Sequence, residues 1–249
     1  MRGLRSLLIA PADEKRLAEA LLSGADAVIV DLALAEPAER AAARVLAARF
    51  LKEGHGRGAG PKLIVGPNPL DSGETDADLD AVMAHAPDAI LLPRSFGAAS
   101  VQQLSAQLAV READFALADG LTRIIAVADS ARSLFGMESY RGSSARLCAI
   151  AWSAERLRAD IGAETERGPS GDYAGPCRLA RDLTLLAATS AGVAAIDAAF
   201  ADPSDAEGLR AEAAAARRDG FSGKIAIDPA QAAIINDVFA SRRKPLPER

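Results

Sequence analysis

Eight short apolar runs, each leading into a stretch of helical periodicity, constrain this chain more than any other feature. The runs fall at 4–10, 27–32, 62–68, 89–94, 123–129, 146–153, 193–200 and 224–228. Between them, apolar residues recur at three- and four-residue spacing, as at Leu17, Ala20 and Leu21 or at Leu179, Leu183, Leu186 and Ala187. Repeated strand-then-helix order predicts a parallel sheet, and eight such units can close into a (β/α)8 TIM barrel. An open doubly wound sheet is the alternative, and it usually carries a glycine-rich phosphate turn after its first strand. Here that turn reads Ala10-Pro11-Ala12-Asp13, without glycine, which favours the barrel. A chain of 249 residues suits one such unit, so one domain is expected over 1–240, followed by a basic, frayed tail at 241–249.

Local signals punctuate this pattern. Asp13 is placed to cap the first helix, which stops at Gly24. Glu36-Pro37 opens an alanine-rich helix to about Leu51, Pro176 opens one ending at Gly192, and Pro229 opens the last, to about Ala240. His55 falls in a glycine-rich loop and reads as a surface histidine, not a ligand. The stretch 135–144 reads as a connection before the sixth strand, and 155–172 as a short helix with a Gly/Pro loop whose charges are solvated.

Composition removes several classes of function. A formal net charge of -5 argues against a general nucleic-acid binder. No run approaches the ~18 apolar residues of a membrane span, and Leu7 to Ala10 is too short for a signal-peptide core. Cys148 and Cys177 lack metal-type spacing and fit reduced thiols of a cytoplasmic protein, with a disulfide left open. Chemistry should then sit where barrel strands end. Asp129 closes the fifth strand at its C-terminal end, the face that carries active sites in barrels, and Asp31 and Asp228 hold similar positions.

The loops carry a resemblance. Arg5 to Pro11, Ser23 to Leu32, Asn68 to Gly73, Leu91 to Arg94, Asp129 to Arg132, Ala151 to Leu157 with Ala159 to Gly162, Ala195 to Asp197, Asp205 to Leu209 and Gly220 to Gln231 resemble, in order, blocks of the citrate lyase β-subunit-like proteins of the HpcH/HpaI aldolase group. The resemblance covers nearly the whole chain. It implies a (β/α)8 barrel, a trimer or hexamer, and cleavage or formation of a carbon–carbon bond in a 3-hydroxyacyl thioester such as citryl-, malyl- or methylmalyl-CoA. It also implies Mg²⁺ held by a Glu and an Asp, and an Arg that pairs with the substrate. A divalent cation polarises oxygens at a centre that becomes an enolate.

Departures fall on the residues that matter. The family's Asp-Leu-Glu-Asp becomes Asp31-Leu32-Ala33-Leu34, and its substrate Arg falls at Gly66, within Val65-Gly66-Pro67-Asn68. Its metal-binding Glu becomes Asp129, and its Gly-Ala-Glu-Asp-Leu becomes Ser153-Ala154-Glu155-Arg156-Leu157, placing a cation where the metal-binding Asp would stand. Its Ile-His-Pro becomes Ile227-Asp228-Pro229, and this chain stops soon after Phe239, where longer members continue into a further segment. The expected site therefore comprises Asp129, Arg156 and Asp228 for chemistry, Asp31, Gly66, Asn68 and Arg94 for a small acid or acyl-CoA, and Asp129 with Glu155 for any Mg²⁺. Three readings follow: a lyase with an altered site; a barrel retained for binding or interaction, with Asp129 and Arg156 as a structural ion pair; and a metal-free chemistry with Arg156 as electrophile and Asp129 or Asp228 as base.

Overall fold

The structure, a computed structural model, describes residues 3–55, 60–169 and 171–240. Strands β1 (Ser6–Pro11), β2 (Ala27–Asp31), β3 (Lys62–Gly66), β4 (Ala89–Leu92), β5 (Arg123–Ala128), β6 (Leu147–Trp152), β7 (Ala194–Asp197) and β8 (Gly223–Ala226) pair in parallel. They close in sequence order, with β8 returning to β1 through Ser6–Lys224, Leu7–Ile225 and Leu8–Ala226. Among the described residues the helices are α1 (Glu14–Leu22), α2 (Arg40–His55), α3 (Thr75–Val82), α4 (Ala98–Asp114), α5 (Ala131–Gly136), α6 (Ala154–Asp160), α7 (Gly175–Ala191), α8 (Ala206–Asp219) and α9 (Pro229–Ala240). The chain is a closed eight-stranded α/β barrel, and the expected tail at 241–249 lies outside the described residues.

The strands read as unbroken apolar runs because both of their faces are buried. Successive side chains alternate. Leu7, Ile29, Ile64, Leu91, Ile125 and Ile196 fill the barrel, while Leu8, Val28, Val65, Ile90, Ile124 and Ile150 pack outward under the helices. With few aromatics, this core is built from Ile, Leu, Val and Ala.

Caps decide several boundaries. Asp13 Oδ1 accepts the Arg16 amide at 2.9 Å and starts α1, and Gly192, at φ 71°, ends α7 in the left-handed region that glycine tolerates. Two helical segments differ most from the sequence reading. The helix expected from Glu36 begins at Arg40, because Asp31 caps a 3-10 turn over Leu32–Leu34 first, and it runs on to His55. His55 thus ends a helix, with Nε2 3.8 Å from Asp88 Oδ2. The supposed connection at 135–144 is partly helical: Ser130 Oγ accepts the Ser133 amide at 3.2 Å to start α5, and a 3-10 turn, Met137–Tyr140, continues it. Cys148 and Cys177 are both free thiols. No helix among the described residues is long and apolar enough to cross a membrane.

Candidate functional site

The C-terminal ends of the strands surround a cavity of about 270 Å³. Asp31 is the last residue of β2, in register with Pro11 of β1 and Gly66 of β3. Asp129 follows β5. Arg156 stands in the first turn of α6, which Ser153 caps by accepting the Arg156 amide at 3.3 Å. That cap fixes where the arginine leaves the backbone. Its guanidinium then crosses the mouth: Nη2 donates to Asp31 Oδ2 at 3.3 Å, and Nη1 lies 3.6 Å from Asp129 Oδ2.

Each acid also has a backbone donor of its own. Asp31 Oδ1 accepts the Ala33 amide at 3.0 Å, and Asp129 Oδ2 accepts the Arg94 amide at 3.2 Å. Arg94 presents this amide from a left-handed conformation, φ 48°. Asp129 Oδ1 is buried and makes no hydrogen bond among the described residues. Burial raises the Asp129 carboxyl above the ordinary range, outweighing the Arg94 amide and the Arg156 charge. Burial likewise raises Asp31 over the opposing pull of Arg156 and the Ala33 amide.

The other candidates are placed differently. Gly66 ends β3 against Asp31, and a Cβ there would stand 3.3 Å from Asp31 Oδ1. A glycine supplies no guanidinium, so the fork that reads a carboxylate comes from Arg156 if from any cavity-lining residue. Asn68 is buried away from the cavity lining, its amide and Nδ2 donating to Asp78 Oδ2 at 2.7 and 2.9 Å. The Arg94 side chain turns to Asp71, 3.4 Å away. Asp228 accepts the Ala230 amide at 2.8 Å at the start of α9 and is not part of the cavity lining. Glu155 is exposed but lines the cavity beside Arg156.

The donor set does not fit a magnesium ion. Magnesium needs only one or two carboxylates beside water and substrate oxygens, but of the two acids expected to hold it, Glu155 is exposed at the rim and Asp129 is buried outside the cavity lining beside Arg156. The space between Asp31 and Asp129 is spanned by a guanidinium. At about 4 Å a guanidinium repels a divalent ion by roughly 8 kcal/mol at the effective dielectric near a protein surface, as much as one carboxylate at that distance attracts it, so Arg156 cancels one of the two acids it joins.

Sequence reasoning missed the cavity walls. Ile9, Leu34, Leu91, Val127, Ile225 and Ile227 line it, with Trp152 at one side. Period-two alternation counted back from each strand end would have found most of them. Trp152 is held by Nε1 donating to Asp197 Oδ1 at 2.9 Å and by an edge-on contact to Tyr173, centroids 5.0 Å apart.

Comparison with known proteins agrees with this architecture. Residues 5–229 match the HpcH/HpaI aldolase/citrate lyase family. The chain is 31% identical over 243 residues to the citrate lyase subunit beta of Leuconostoc mesenteroides subsp. cremoris, covering 96% of this chain and 78% of the relative. It is 31% identical to a (3S)-malyl-CoA thioesterase of Cereibacter sphaeroides, over 95% of this chain and 77% of that one. Among solved structures, a citrate lyase beta subunit from M. tuberculosis complexed with oxaloacetate and magnesium superposes with a TM-score of 0.79 at 28% identity, covering 94% of this chain and 96% of that chain.

Proposed function

We propose a function from one premise: the chain belongs to the HpcH/HpaI aldolase/citrate lyase family. Its barrel mouth binds a small carboxylic acid or its CoA thioester, and its reaction is cleavage or formation of a carbon–carbon bond in a 3-hydroxyacyl thioester of the citryl-, malyl- or methylmalyl-CoA kind. The meeting of Asp31 and Arg156 in one cavity lining, with Asp129 paired to Arg156 just behind it, carries this reading.

Cleavage beside a thioester carbonyl needs a base at the 3-hydroxyl and a positive group facing the carboxylate and the developing enolate. Arg156 is the positive group in the cavity. Asp129, ion-paired to Arg156 just behind the cavity lining, has the raised proton affinity a base asks for, and it takes the hydroxyl proton only as the guanidinium turns to the substrate and uncovers it. Asp31 holds the guanidinium, while Asn68, Arg94 and Asp228 shape the surrounding loops. The magnesium of the M. tuberculosis relative is not carried over, because Arg156 spans the space between the acids. A homo-oligomer, a trimer or hexamer as the resemblance implies, is part of the same reading, supported by Phe135 at 93% exposure and by exposed Leu179 and Leu186 on α7. A cytoplasmic setting is supported by the two free thiols.

The experiment is turnover of citryl-, malyl- and methylmalyl-CoA by the purified chain, with Asp129→Ala as the comparison. Turnover abolished in Asp129→Ala supports the lyase. A second reading, a barrel that binds without catalysis, is favoured by the Asp31–Arg156–Asp129 bridge itself, and it prevails if no thioester is turned over.

A further inference from the structure

Among the described residues Arg156 is the only cation lining the cavity, and three carboxylates surround it: Asp31 and Glu155 in the lining, Asp129 behind. A guanidinium carries five N–H donors. Among the described residues it makes a single hydrogen bond, to Asp31 at 3.3 Å, and its 3.6 Å approach to Asp129 is an ion pair without one. Neither acid depends on it alone, since Ala33 and Arg94 give each a backbone donor. The side chain is 39% exposed, so the remaining donors are reachable from the cavity it lines.

The walls set the other half of the recognition. Ile9, Leu34, Leu91, Val127, Ile225 and Ile227 give an aliphatic surface, with no second basic group among the described lining residues, and Gly66 contributes none. A volume of about 270 Å³ corresponds to roughly nine water-sized volumes. A ligand with two or three carboxylates would bring its extra charges against aliphatic walls and resident acids, where each stays unpaired.

We propose that Arg156 is the resident cation of this mouth and that it receives one carboxylate on a short alkyl body. The proposal rests on the reading of the mouth as the acid-binding site. Within that reading it selects thioesters whose released oxo acid carries a single carboxylate, and it sets aside the citryl type. Binding needs no divalent cation, because the fork of Arg156 supplies the charge.

Calorimetry on the full chain tests this, with 2-oxobutyrate, oxaloacetate and citrate as probes, each titrated in EDTA and in Mg²⁺. The expected result is 2-oxobutyrate binding of equal affinity in both buffers, and weaker binding of oxaloacetate and citrate by about tenfold or more. Arg156→Gln should weaken 2-oxobutyrate by about tenfold or more, and Arg156→Lys, which keeps the charge without the fork, should fall between. Binding that requires Mg²⁺, a preference for citrate or oxaloacetate, or no binding of any of the three acids would overturn it. The wild-type titrations stand even if a variant fails to fold. An absence of thioester turnover with 2-oxobutyrate still bound would remove the lyase and leave this inference in place.

Discussion

Asp129 carries a charge whose cost is visible in its surroundings. It is buried, one carboxylate oxygen has no hydrogen bond among the described residues, and its ion-pair partner Arg156 is shared with Asp31. Burial therefore keeps its folded-state proton affinity above that of the unfolded chain. A raised carboxyl contributes stability that is full below the ordinary Asp range and is lost as pH rises through the folded value. Asp129→Asn, which carries no charge, should then melt higher than the parent at pH 7–8, with the difference vanishing toward pH 3. Thermal melts across that range check it, and a lower melting temperature for the variant at neutral pH would contradict it. At this scale the sequence named Asp129, Asp31 and Arg156 singly and paired Arg156 with Asp129. It could not show that Arg156 lies nearer Asp31, 125 positions away, because that contact exists only once opposite sides of the barrel mouth face each other.

The elements hold this geometry through close backbone contact. Gly136 ends α5 directly against the β4–α4 loop, and a Cβ there would fall on the Phe96 carbonyl oxygen. Gly97, at φ 103°, meets the same junction, and a Cβ added to it would stand 2.6 Å from the Gly136 carbonyl oxygen. That loop carries the Arg94 amide to Asp129. Gly136→Ala should therefore destabilise by about 1–3 kcal/mol, as overpacking against backbone does. It should also speed hydrogen exchange at the Arg94 amide, and urea denaturation with amide exchange measures both effects. Unchanged exchange at Arg94 would show that the junction does not position the site. Strands and most long helices were legible because apolar period and boundary residues agree over many positions, but α7 buries Cys177, Ala180, Thr184 and Ala188 and leaves Leu179 and Leu186 of its expected apolar face exposed. The six-residue α5 was not, since its cap, Ser130, looks like the rest of a Ser- and Gly-containing stretch.

At the scale of the whole molecule, the barrel closes where β7, β8 and β1 meet, and the closure is joined to the cavity by one buried ionic network. Lys224 of β8 has no exposed surface, and its Nζ donates to Asp197 Oδ2 at 3.0 Å, the Ala198 carbonyl at 2.6 Å and Glu212 Oε1 at 2.7 Å. The other oxygen of Asp197 accepts Trp152 Nε1 at 2.9 Å and Arg181 Nε at 3.1 Å. Burial alone would raise Asp197, but Lys224 and Arg181 overcome it and hold the carboxyl below the usual range. Its stabilisation is therefore present above the unfolded Asp value and is lost as pH falls through the depressed folded value. Asp197→Asn leaves Lys224 buried with one acid fewer and should destabilise at pH 7 by less than the about 3–5 kcal/mol of a wholly uncompensated buried charge, because Glu212 still pairs with it. Removing both partners in Asp197→Asn/Lys224→Met should cost less than the two single changes summed, since neither charge of the Asp197–Lys224 pair is then left without the other. Trp152 is the only tryptophan of the chain, so its fluorescence reports the link to the site independently of stability. With the Asp197 anchor gone, emission from the folded Asp197→Asn protein should shift as the indole loses its charged acceptor. An unshifted spectrum beside a large drop in stability would mean that the network closes the barrel without setting the cavity wall.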